Sequence, residues 1–166
     1  MENKLDYGYY KSPIGIIKIV ASDNYIKELA FVKEVNQLAD DFDNNYSEII
    51  KNTILQLNEY FQGKRRDFYL PLQPKGTCFQ QRVWQELEKI DYGKTASYKE
   101  IALKTGNEKA TRAVGGANNK NPIAIIIPCH RVIGTNGSMV GYSGGLDKKL
   151  FLLNLEIQTI NKNEPR

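Results

Sequence analysis

Histidine occurs once in this chain of 166 residues, tryptophan once and cysteine twice. Two cysteines, Cys78 and Cys129, cannot build a disulfide framework, and a free thiol beside a histidine suits a reducing cytoplasm. Two cysteines and one histidine fall short of a four-ligand zinc site unless carboxylates help, so neither a metal nor a cofactor is expected. No window approaches about 18 consecutive apolar residues, which excludes a membrane-spanning helix. The opening Met1-Glu2-Asn3-Lys4-Leu5-Asp6 lacks the apolar core of a secretory signal. Internal repeats and low-complexity tracts are missing too.

What the chain does contain is ordinary globular material, 41% apolar and 25% charged, enough for one compact domain or two small ones. Its charge of +4 is unevenly spread. Residues 1–75 hold 10 Lys/Arg against 11 Asp/Glu, whereas residues 76–166 hold 13 against 8. All the positive excess lies in the second half, a field that suits a polyanion such as DNA, although a solubilising surface is the commoner source of so mild a charge.

Hydrophobic patterning predicts an α+β chain in two parts. Tyr7–Lys11, Ile14–Ala21 and Tyr25–Val32 alternate as the strands of a β-meander. Ile49, Ile50, Ile54, Leu57 and Phe61 recur at helical spacing over 46–62, and Gly63 stops that helix. Phe68–Leu70 adds a further strand. Pro71 to Gly76 reads as a linker, dividing a domain at 1–73 from one at 77–166. The second domain is mostly helical. Thr77 caps a helix to Ile90 with Phe79, Val83, Trp84 and Leu87 on one face. Ser97-Tyr98-Lys99-Glu100 is a capping box opening a helix that ends near Gly106. A helix from about Lys109 to Asn118 follows. Ala102 and Gly106, four apart, have helix-turn-helix spacing, which helical hairpins without DNA also show. A last helix, Asp147 to Ile157, is expected to bury Leu146, Leu150, Leu153 and Ile157. Glu156 rides among these leucines, either on a solvated edge or turned inward.

The run Ile125-Ile126-Ile127-Pro128-Cys129-His130-Arg131-Val132 puts a cysteine beside the only histidine. A thiol becomes a nucleophile as the thiolate, and a neighbouring imidazole or cation is the usual means of making one. The aliphatics predict a buried approach strand ending at Pro128. Cys129, His130 and Glu156 compose a thiol–imidazole–carboxylate relay. Adjacent strand residues face opposite ways, so His130 would act through a water or a turn at 128–131. Taken alone, Cys129 also reads as a small buried hydrophobe. Arg131 either lowers the thiol pKa or ties loops together.

Pro128-Cys129-His130-Arg131-Val132, with Arg112-Ala113-Val114-Gly115-Gly116-Ala117 and Asn121-Pro122 before it and Tyr142-Ser143-Gly144-Gly145 and Leu152-Leu153-Asn154-Leu155-Glu156 after it, resembles the O6-alkylguanine-DNA alkyltransferase family. Phe79-Gln80 and Val83-Trp84 extend the likeness over about 77–157. The resemblance implies a ribonuclease-H-like topology for the N-terminal domain. It implies stoichiometric repair of double-stranded DNA containing O6-alkylguanine by a protein that is a monomer in solution, and it leaves activity on O4-alkylthymine open. Cys129 would accept the alkyl group as a thioether, His130 would take its proton through a water, and Glu156 would hold His130. Asn121 would brace the cysteine turn. Tyr98 would sit at the pocket mouth and donate to the leaving guanine. Arg112 would fill the space of an extruded nucleotide, with Ser97, Ala113, Gly115 and Ala117 lying along the DNA. Tyr142, Ser143 and Gly144 would wall the flipped base. Cys78 stands where the family usually has a proline at a helix start. Two other readings remain: a non-reacting sensor of damaged bases, against which Cys129 speaks, and a cysteine hydrolase, which predicts turnover and no need of Arg112.

Overall fold

The computed structural model describes residues 4–33 and 45–164. The chain divides into two compact units, Met1–Pro74 and Lys75–Arg166.

In the first unit β1 (Asp6–Ser12), β2 (Gly15–Ala21) and β3 (Ile26–Phe31) form an antiparallel sheet in the order β1-β2-β3. The sheet buries Ile17, Ile19 and Leu29 completely. Helix α1 (Glu48–Phe61) covers it. Gly8 permits this approach, since a Cβ there would collide with Ile50. The buried face of α1 differs from the periodicity expected. Ile50 and Leu57 point inward, but Thr53, Gln56 and Tyr60 share the face while Ile49, Ile54 and Phe61 are half-buried. The polar members are satisfied internally: Thr53 Oγ1 donates to Ile49 O at 2.7 Å, and Gln56 pairs with both backbone groups of Tyr69 at 3.1 and 2.9 Å. This pairing also explains why Phe68–Leu70 is not the strand expected. Gln56 takes the backbone groups a ladder would use, and the chain meets β3 only further on, through one parallel bridge between Ile26 and Leu72.

The second unit is mainly helical: α2 (Cys78–Glu88), α3 (Tyr98–Lys104), α4 (Thr111–Asn119) and α5 (Leu146–Asn163). Thr77 and Gln80 make a capping box at α2, and Ser97 and Glu100 make the expected one at α3. Gly106, at φ +93°, turns the chain from α3 toward α4, the positive φ the helix-turn-helix reading required. Trp84 locks α2 to α4, its indole N–H donating to Ala117 O at 2.8 Å. Two short strands escaped the sequence reading: β4 (Ala96–Ser97) and β5 (Val132–Ile133) pair in parallel. Two residues apiece show no periodicity.

Two expectations about this unit need correcting. Residues 122–128 are a buried series of turns instead of a strand. Ile125 adopts φ 69° there, a left-handed conformation that a β-branched residue keeps only when its surroundings impose it. Helix α5 turns a different face inward. It buries Lys149, Leu152, Leu153, Glu156 and Thr159, whereas Leu146, Leu150 and Ile157 are 43–47% exposed. Polar groups with partners inside displace apolar ones.

Candidate active site and nucleic-acid interface

Cys129, His130 and Arg131 occupy one 3₁₀ turn, all buried. The turn resolves the difficulty of adjacent side chains facing opposite ways. The residue Cys129 is 2% exposed. Asn121, before the turn, donates through Nδ2 to Ile127 O at 2.8 Å and accepts from Ile123 N at 3.0 Å. It thereby staples the strained 122–128 segment.

His130 Nε2 lies 2.8 Å from Glu156 Oε1, with both side chains fully buried. Burial works to raise the Glu156 carboxyl pKa, but the His130 hydrogen bond and the Arg131 charge outweigh it and bring it to about 2. The acceptor is therefore an anion, so Nε2 carries the imidazole proton and Nδ1 keeps its lone pair. That Nδ1 is buried without a hydrogen-bond partner. Burial lowers the His130 pKa against the pull of Glu156, so the ring rests neutral. Arg131 grips Glu156 from its other side, Nε to Oε2 at 3.0 Å and Nη2 to Oε1 at 2.9 Å. Its Nη1 donates to Ile90 O at 2.6 Å. Of the two roles open to Arg131, its bonds serve the tying of loops. Gly93 N adds a fourth donor to the carboxylate at 3.0 Å.

The sulfur is not the resting thiolate that its histidine neighbour suggested. Burial pushes the Cys129 pKa up to about 11, opposed by a hydrogen bond from Asn121, by Lys149 and by nearby backbone amides. The thiol is thus protonated at neutral pH, and its proton must leave as part of the reaction. Lys149 was missed by the sequence reading. Fully buried on α5, it donates to Val132 O at 2.5 Å and Val140 O at 2.9 Å. The signal was present: Lys149, Leu152, Leu153 and Glu156 stand at i, i+3, i+4 and i+7 on one helix face.

Tyr98, at the start of α3, donates to the same Val140 carbonyl at 2.9 Å. Tyr142 is buried with its hydroxyl unpartnered. Burial raises the pKa of both phenols, and negative charge on Cys129 raises them further. Gly141 has φ +70°, and a Cβ there would lie 2.8 Å from Tyr98 Oη, so only glycine lets this loop close on the tyrosine. Ser143 is exposed and Gly144 half-buried in the turn that follows. On α4, Arg112 and Ala113 are exposed and Gly115 is half-buried, where an added Cβ would lie 3.9 Å from the Tyr98 ring. Ser97 is occupied as the α3 cap, accepting from Glu100 N at 3.1 Å. Ala117 does not belong with the DNA-facing residues. It is 3% exposed and faces Trp84, so it serves the α2–α4 contact. Among the described residues no group of three or more His, Cys, Asp or Glu side chains is placed to hold a metal.

A buried cysteine next in sequence to a carboxylate-held histidine, in a unit whose α3 and α4 form a helix-turn-helix, combines a candidate cysteine nucleophile with a candidate DNA-binding element. Residues 78–158 match the family model described as 6-O-methylguanine DNA methyltransferase, DNA binding domain, and residues 5–74 match its ribonuclease-like domain. A methylated-DNA–protein-cysteine methyltransferase of Methanosarcina acetivorans is 47% identical over 90% of this chain and 97% of its own. The crystal structure of Mycobacterium tuberculosis O6-methylguanine methyltransferase superposes with a TM-score of 0.83 at 41% identity, covering 94% of both chains. A second structure from that organism, titled as OGT in complex with DNA, gives 0.83 at 42% identity over 92% of this chain and 93% of that one. The chain belongs to the 6-O-methylguanine DNA methyltransferase family.

Proposed function

We propose that this protein repairs double-stranded DNA by moving the alkyl group of O6-alkylguanine onto Cys129. The observation that carries the reading is the buried Glu156–His130 pair beside a thiol. His130 Nδ1 removes the S–H proton through a water. The sulfur attacks the alkyl carbon, the carbon–O6 bond breaks, and its electron pair stays with the guanine, which Tyr98 stabilises by a hydrogen bond. Glu156 holds the imidazole and balances the charge it gains. Asn121 braces the turn, and Lys149 offsets the negative charge on sulfur. A thioether does not hydrolyse, so each molecule reacts once.

The alkyl group lies inside the base stack, so the nucleotide must be flipped out, at a cost of a few kcal/mol. Arg112, exposed near the start of α4, is the wedge that fills the gap. Ser97, Ala113 and Gly115 lie along the backbone, and Tyr142, Ser143 and Gly144 wall the base. Residues 77–166 do the chemistry and 1–73 support them. The protein acts in the cytoplasm as a monomer.

The test is to incubate the protein with duplex DNA carrying O6-methylguanine and weigh it intact. A single gain of one methylene, about 14 Da, on Cys129 is expected. Cys129→Ala is expected to bind the same duplex and gain nothing; transfer by that variant would overturn the assignment.

A further inference from the structure

Asn118 has no place in the scheme above, yet it is 1% exposed near the end of α4. Asparagine is a poor helix former and its amide is costly to bury. Its Nδ2 donates to the backbone carbonyl of Cys129 at 3.4 Å, and its Oδ1 is buried with no hydrogen-bond partner. Such an orphan acceptor is a cost that an alanine or leucine would avoid. We propose that Asn118 is a positioning residue for alkyl transfer, holding the Cys129–His130 peptide so that its N–H end points at the sulfur.

The geometry is that of one planar peptide unit. Its C=O and N–H point in opposite directions, so fixing one end aims the other. The Cys129 carbonyl receives two donors, Val132 N from within the turn and Asn118 Nδ2 from α4. At the other end the His130 amide bears on the Cys129 thiol and favours its anion. Asn118 therefore touches neither substrate nor sulfur and acts through a peptide plane. The other groups bearing on this sulfur are Asn121 before the turn, Lys149 from α5, and the phenols of Tyr98 and Tyr142. Glu156 and Arg131 bear on His130.

This inference rests on the alkyl-transfer reading, and one experiment separates them. Single-turnover transfer from an O6-methylguanine duplex is followed across pH for wild type, Asn118→Leu and Asn118→Asp, with melting temperatures alongside. No transfer by wild type sinks the reading itself. Asn118→Leu removes the donor and the orphan acceptor together, so its melting temperature stays near wild type. Its rate is expected to fall about tenfold, with the rising limb of the pH profile moved upward. A rate and profile matching wild type overturn the inference and leave the reading intact. In Asn118→Asp a protonated carboxyl can still donate to the Cys129 carbonyl, so its rate relative to wild type should decline as pH rises. A flat ratio likewise overturns the proposal, and this profile decides the matter should the leucine variant not fold.

Discussion

Glu156 accepts from His130, Arg131 and the Gly93 amide while fully buried, so its removal affects two properties at once. Glu156→Gln leaves the Arg131 guanidinium buried without its counter-charge, which costs about 3 kcal/mol. The expected result is a lowered melting temperature of the Lys75–Arg166 unit and a slower transfer rate. A variant that transfers slowly at unchanged stability would mean that Arg131 finds another partner. The sequence reading reached Glu156, His130 and Cys129 through adjacency and family likeness. Lys149 and Asn118 stayed hidden because lysine and asparagine on helices read as solvent-facing. Only the placement of Glu156 inward reveals the face on which Lys149 lies.

Among the elements, the local signals that survived are those written in a few neighbouring residues. The Ser97–Glu100 capping box needs four positions to declare itself, and α3 begins where they say. The three strands of the first sheet begin and end within one residue of the expected positions. Elements whose form depends on distant partners were misread: the turns of 122–128, held by Asn121, and the inward face of α5, chosen by buried polar contacts. The seating of α1 on its sheet gives a prediction of the same kind. In Gly8→Ala the new methyl meets the Ile50 side chain, which is stiff and fully buried. The expected cost is about 1–3 kcal/mol, read as a lower denaturation midpoint of the isotherm that reports the first unit's tyrosines. An unchanged midpoint would show that the helix can shift without loss.

For the whole molecule, buried titrating groups, Glu156, His130 and Cys129 among them, set a stability window. Glu156 has its pKa lowered from 4.5 to about 2 and His130 is lowered from 6.5. Both contributions are present above the unfolded pKa values and are lost as pH falls through the folded ones. Cys129 is raised from 9.0 to about 11, so its contribution is present below 9.0 and is lost as pH climbs toward 11. Melting temperature against pH should therefore be broadest between 6.5 and 9.0 and decline on both sides. In Cys129→Ala the alkaline decline should shrink while the acid one remains. Loss of neither limb would mean that these groups stay solvated.

Cys78 is exposed and Cys129 is sealed. Free methylating agents in a stressed cell, or peroxide, would meet the outer thiol first, and a protonated inner one offers them little. Under the single-turnover function proposed above, this arrangement spares the acceptor thiol from the very chemicals that create its lesions and keeps it armed until a damaged base is delivered to it.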